Sequence, residues 1–203
     1  MDKAKIQLSA KEAELVVNAD WILTKNGILQ KVKYLLEEVQ SREQDLLQTD
    51  PSRFPVEITQ IPPKISRGEN YKGLPWLVLD YPRYFGKEDQ FAIRSMFWWG
   101  NFFSITLHLA GRYKKMYEAQ LADCFTSLKT DLFFIGTSNE QWEHHFESSN
   151  YLPLTGMGEG EFIARILSKE NIKLAKRISL EEWNDAGEIL VGSFSRMIGY
   201  LAG

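Results

Sequence analysis

Eleven of the chain's 26 aromatic residues fall between Tyr71 and Phe103, and the same stretch carries its strongest β-hairpin signal. Phe91 to Trp99 and Phe102 to Leu109 are apolar, β-prone runs joined by Gly100-Asn101, residue types that supply the positive φ of a tight primed turn. This concentration marks the centre of the fold. It does not mark a chemistry, because aromatic side chains build cores and interfaces far more often than cofactor sites.

The flanks of this ribbon read as helices and short strands. Ser9 and Glu12 have capping-box spacing, which predicts a first helix over residues 10–23. Asn26-Gly27 then interrupts it. Ile28, Val32, Leu35, Val39 and Leu46, widened by Leu36 and Leu47, form the apolar stripe of a second helix that ends at Asp50-Pro51. The two read as an N-terminal helical hairpin over 1–50, whose stripe needs the sheet or a second copy of the chain as partner. Residues 51–63 hold four of the seven prolines and read as a connector, and 64–203 as the α+β body of a single domain.

Within that body a strand is predicted over 74–80, after an exposed loop over 64–73. A helix follows over 112–128, a buried strand over 132–137 and a short helix over 142–146. Further on come a helix around Phe162 to Leu167, a charged edge strand over 172–178, and a last helix behind the capping pattern Ser179 to Glu182. This order lacks strict βαβ alternation and predicts an α+β fold with a mainly antiparallel sheet.

Composition sets the outer limits. A 203-residue chain with 44% apolar and 25% charged residues is an ordinary globular sequence. Its formal charge of -3 leaves no nucleic-acid footprint. Cys124 is the only cysteine, so an internal disulfide and multi-cysteine metal sites are excluded and a reducing, cytoplasmic setting is expected. Residues 95–111 contain no Lys, Arg, Asp or Glu, yet scattered Ser, Thr, Asn and His residues and period-two alternation argue against a membrane span.

A two-residue turn at Gly100-Asn101 pairs Trp99 with Phe102 and fixes the hairpin's faces. One face then holds Ala92, Arg94, Met96 and Trp98 with Phe103, Ile105, Leu107 and Leu109; Arg94 is its only charge. Such a guanidinium is either paired inside the protein or grips a carboxylate or phosphate ligand. The other face gathers Ser95, Phe97, Trp99, Ser104, Thr106 and His108, the mixture of a half-solvated sheet face and also of a small-ligand site.

Three weaker patterns remain. Glu140, His144 and Glu147 share a face if residues 139–148 are helical, which makes them a candidate divalent-metal set and, as plainly, a solvated charged helix. Gly156, Gly158 and Gly160 mimic a phosphate loop, but no strand leads in and Glu159 and Glu161 would repel phosphate. Residues 64–94 carry six basic against four acidic side chains interleaved with Tyr and Trp, too small an excess for nucleic acid.

The leading expectation is a non-enzymatic ligand-binding or self-associating module that needs no cofactor. Arg94, His108, Trp99, Ser95, Thr106, Arg67 and Tyr71 form its candidate binding set, with a small anionic ligand or a second copy of the chain as partner. The rivals are an enzyme acting on an anionic substrate through Arg94 and His108, and a metal-dependent hydrolase using Glu140, His144 and Glu147.

Overall fold

The computed structural model describes residues 6–50 and 54–202; the helix stop expected at Pro51 lies outside them. Among these residues, helices pack on a seven-stranded antiparallel sheet of order β1-β2-β3-β4-β7-β5-β6, the α+β architecture that the pattern predicts.

Two N-terminal helices open the chain. The Ser9–Glu12 capping box forms and starts α1 (Ala10–Val16). The break comes at Val17-Asn18 and not at Asn26-Gly27, because Asn18 caps the next helix by accepting from the Trp21 amide (3.3 Å). That helix, α2 (Ala19–Gln48), runs unbroken through Gly27. An interior glycine costs about 1 kcal/mol, an amount that the packing beyond it outweighs. Leu29, Val32, Leu36, Val39 and Leu47 are buried against strand β2 (Leu74–Phe85) and helix α7 (Ala186–Ala202). The predicted stripe is therefore used within the chain.

The loop expected over 64–73 is in fact strand β1 (Lys64–Tyr71) and a turn into β2. Lys72 and Gly73 take φ of 49° and 83°, the paired positive values of a type I′ hairpin turn. Here lies the two-residue primed turn that was anticipated at Gly100-Asn101.

The central hairpin, β3 (Gln90–Trp98) and β4 (Phe102–Ala110), is joined by three residues and pairs Trp98 with Phe102. Trp99 leaves the ladder because its amide donates to the Pro75 carbonyl of β2 (3.0 Å). The Asn101 amide then closes on the Trp98 carbonyl (3.0 Å) with Gly100 at φ 69°, where a type II turn demands a positive value. A one-residue change of register exchanges the faces of one strand relative to the other. Phe91, Ile93, Ser95 and Phe97 now share a face with Phe103, Ile105, Leu107 and Leu109. Arg94 shares the other with Ser104, Thr106 and His108.

Four helices cover the first, inner face: α2, α3 (Val56–Thr59), α4 (Gly111–Asp123) and α7. The single helix expected over 112–128 is broken at Cys124, after which α5 (Phe125–Thr130) closes in a left-handed cap at Leu132 (φ 61°). Beyond it come β5 (Phe134–Gly136), β6 (Tyr151–Pro153), α6 (Glu159–Ser168) and β7 (Asn171–Ser179). The predicted edge strand, β7, is an interior one, paired with β4 along all nine residues and with β5 on its other side. Its lysine at 173 is tolerated there because carbonyl oxygens surround the ammonium.

Candidate functional site

The outer sheet face is closed on one half and open on the other. Residues 137–150, expected to contain a short helix, are irregular and lie across β4 and β7. Phe146 fills the space between Phe102, Phe134 and Tyr151, with ring centroids at 5.0, 5.0 and 4.7 Å.

Two polar anchors hold this segment down. Lys173, buried at 3% exposure, donates to the carbonyls of Glu143 (3.0 Å) and Glu140 (3.4 Å) and to Asn150 Oδ1 (2.9 Å). The Tyr71 hydroxyl donates to Glu143 Oε2 (2.8 Å) and accepts from the amides of His144 (2.8 Å) and His145 (3.2 Å). Burial raises the Tyr71 phenol to about 12, so it stays a donor at any ordinary pH. Tyr71 thus fastens the end of β1 to the covering segment.

At the boundary between the closed and open halves stands Arg94. Its Nε donates to Asp80 Oδ1 (2.7 Å), its Nη2 to Asp80 Oδ2 (3.1 Å), and its Nη1 lies 3.2 Å from His144 Nε2. A guanidinium only donates, so His144 Nε2 is the acceptor and the ring is neutral. Trp142 lies over the guanidinium at 5.6 Å and also packs on Phe85 and His108. Burial, then the charges of Arg94 and Lys173, hold His144 down to about 3. For His108 burial again leads, followed by Lys173 and Arg94, and its value is likewise about 3. Lys173 itself falls to about 8, chiefly through burial.

The open half holds a cavity of about 570 Å³, within the range of small-molecule sites. Its floor is Val78, Asp80, Arg94 and Met96; its walls are Tyr71, Trp76, Phe85, Trp142 and His144; Lys64, Ser66, Asn70 and Arg83 stand around it. The Trp76 indole lies flat against β1 because residue 68 is glycine: a Cβ there would sit 2.6 Å from the ring. Arg83 Nε is tied to the Pro62 carbonyl (3.0 Å), and Lys64 is exposed with no ion pair among the described residues. Three cationic groups therefore line the cavity against one carboxylate, and that carboxylate is held by Arg94.

The sequence-derived candidates divide as follows. Arg94 and Tyr71 line the cavity. Thr106 and His108 share the outer face with Arg94 but lie behind it, around a void of about 10 Å³ that also touches Gln141, His144 and Lys173. His108 Nε2 has no hydrogen-bond partner there. Ser95 is on the helix-covered face, beside the buried Glu43 of α2. Trp99 sits in the hairpin turn next to Phe97, and Arg67 is exposed on β1, one residue out of phase with Ser66. Residues 139–148 form no helix, so Glu140, His144 and Glu147 have no common helical face; among the described residues no cluster of three or more metal-ligating side chains occurs.

Asp80, Phe85 and Trp142 are not among the sequence-derived binding candidates, and Lys64, Trp76 and Arg83 enter there only as members of the basic, aromatic stretch over 64–94, with Lys64 also opening the loop expected to form part of the contact surface. The available signal was the period-two spacing of Lys64 with Ser66 and of Trp76 with Val78 and Asp80, which becomes readable once 64–71 is known to be a strand.

Fold and geometry together define an α+β protein with a cationic, aromatic-walled cavity on the open half of its sheet. Comparison with protein-family models, with curated proteins and with solved structures finds no match.

Proposed function

We propose that this protein is a small-ligand-binding module whose cavity takes a compact anion, a carboxylate or a phosphate, attached to a flat apolar group. The observation that carries the reading is the imbalance of charge: Lys64, Arg83 and Arg94 face the cavity, and its one carboxylate, Asp80, is already paired. Guanidinium and ammonium groups beside a low-polarity wall bind anions more strongly than they do in water, because fewer water molecules compete. Trp76, Phe85 and Trp142 offer ring faces for the apolar part of the ligand.

The roles differ among the three cations. Arg94 spends two donors on Asp80 and one on His144, so it supports the floor of the site and adds field. Arg83, with one bond to a carbonyl, and Lys64 supply the free donors.

A thermal-melting screen with small carboxylates and phosphorylated compounds tests the reading, since a ligand bound at 100 times its Kd stabilises by about 2.7 kcal/mol. The expected result is a rise in Tm for at least one anion, abolished in Lys64→Met/Arg83→Met with the Tm of the free protein unchanged. No shift with any anion, or the same shift in the double variant, would overturn the proposal.

A further inference from the structure

Among the described residues, eight of the fifteen large hydrophobic side chains that stand exposed fall within residues 6–23; of the other seven, Phe85 and Trp142 meet at the cavity and the remaining five lie far apart in the sequence. The eight are Ile6, Leu8, Leu15, Val16, Val17, Trp21, Ile22 and Leu23, between 42% and 81% exposed. Isolated exposed apolar residues are ordinary, but eight of them within eighteen residues mark a segment that meets something else.

Their setting is an arm. Helix α1 buries no residue, and the burial of α2 begins only at Leu29. Residues 19–28 therefore carry α2 about 15 Å past its first buried side chain at 1.5 Å per residue. Trp21, Ile22 and Leu23 are consecutive, so on a helix they point in directions about 100° apart and the apolar surface wraps most of the way round. One neighbouring helix, α1, cannot cover such a rod.

We infer that this arm is a self-association surface on which the α1–α2 unit of a second copy of the chain docks, two helices against two, about a two-fold axis. Two features favour a copy of the chain. Eight side chains exposing on the order of 100 Å² each set an upper limit near the 800 Å² per partner of a standard interface, and because they point round the rod, two helices packed on two cover more of them than one helix face would. The arm also carries few charges, Lys11 against Glu12, Glu14 and Asp20, with Lys25 paired to Glu69 of β1, and exposed charges this few are screened by salt, so two copies meet without strong repulsion. A helix that lies on an anionic membrane needs a basic polar face, and this arm has none. The two-fold arrangement buries each arm with the same residues that it offers, as closed homodimers do.

The surface is independent of the ligand cavity, which lies on the outer face of β1, β2 and β3. Analytical ultracentrifugation of the full chain tests the inference. The wild-type protein, of 23.5 kDa per chain, is expected to sediment at twice that mass at micromolar concentration. Val17→Glu/Leu23→Glu is expected to weaken the dimer by at least tenfold in Kd while leaving the circular-dichroism spectrum unchanged, since both side chains are more than 60% exposed. Met116→Glu, exposed on α4 and outside the arm, serves as the control and is expected to remain dimeric. A wild-type monomer at on the order of 100 µM would overturn the inference. So would a dimer that the double substitution leaves intact, or a monomer that floats with anionic phospholipid vesicles through the same two residues.

Discussion

Arg94 and Asp80 stand opposite each other on β3 and β2, and their side chains close a two-point ion pair, Nε to Oδ1 at 2.7 Å and Nη2 to Oδ2 at 3.1 Å. The pair is largely withdrawn from water, with side chains 15% and 8% exposed. Its geometry satisfies both carboxylate oxygens, so the pair is stable where either partner alone would not be.

Removing one partner is therefore expected to cost more than removing both. Arg94→Met strands the Asp80 carboxylate and should lower the unfolding free energy by about 3 kcal/mol. Asp80→Leu/Arg94→Met leaves no unpaired charge and should recover most of that loss. Urea titration of the three proteins at pH 7 checks this. Equal losses in the single and double variants would show that the pair is not the source of the stability.

The second prediction concerns Glu43, which is 1% exposed on α2 and has neither carboxyl oxygen in a hydrogen bond of normal geometry. Burial pushes the pKa of its carboxyl group well above the ordinary carboxylate value, with the nearby Ser95 hydroxyl acting the other way. The folded chain thus holds a proton that the unfolded chain releases near 4.5. Its contribution to stability is present below that pH and is lost as pH rises toward the folded value. Glu43→Gln is expected to remove this dependence, so its advantage over the wild type should grow between pH 4.5 and neutrality. Glu43→Leu should gain about 2 kcal/mol at pH 7, the usual cost of an unsatisfied buried polar group. Parallel stability curves for wild type and Glu43→Gln would contradict the argument.

The comparison of these sites with the sequence shows what a pattern can carry. Both capping boxes form, because that signal is complete within four residues, but the one at Ser179 caps a single 3-10 turn, Leu180–Glu182, and the last helix starts later, at Ala186. The central hairpin is equally legible, since Phe91 to Leu109 is apolar and β-prone on both sides of a glycine turn. The register is not local information. It depends on the Trp99 amide finding the Pro75 carbonyl, 24 residues upstream, and that one bond moves Arg94 from the apolar face to the face of His108. The same holds for β1, whose Lys-Gly turn is a weak signal and whose strand forms by pairing with β2. Residues 139–148 have helical spacing, yet Lys173 and Tyr71 claim their backbone groups and hold them irregular. Glu43 stands among the apolar residues of α2 and gives no sign in one dimension that it will face the sheet.

The last prediction follows from the two neutral histidines packed between Arg94 and Lys173. His108 and His144 titrate at about 3 in the fold, against 6.5 in an open chain, because burial and two neighbouring cations oppose a further positive charge. As pH falls the unfolded chain takes up these protons first. The stability they permit is complete above 6.5 and is lost progressively from there down to about 3, at up to about 1.4 kcal/mol per pH unit for each ring. Glu43 contributes with the opposite sign over part of this window, so the slope of the wild-type protein alone understates the effect. The difference between proteins isolates it. His144→Gln retains an acceptor for Arg94 Nη1, and the His108→Gln/His144→Gln double variant removes both titrations. Unfolding free energies measured between pH 7.5 and 4 are expected to converge on, then fall below, those of the double variant as the pH drops. Wild-type and double-variant curves that stay parallel throughout would mean that both rings take up protons in the fold as readily as in the open chain, and would overturn the assignment of His144 Nε2 as the acceptor of the Arg94 guanidinium.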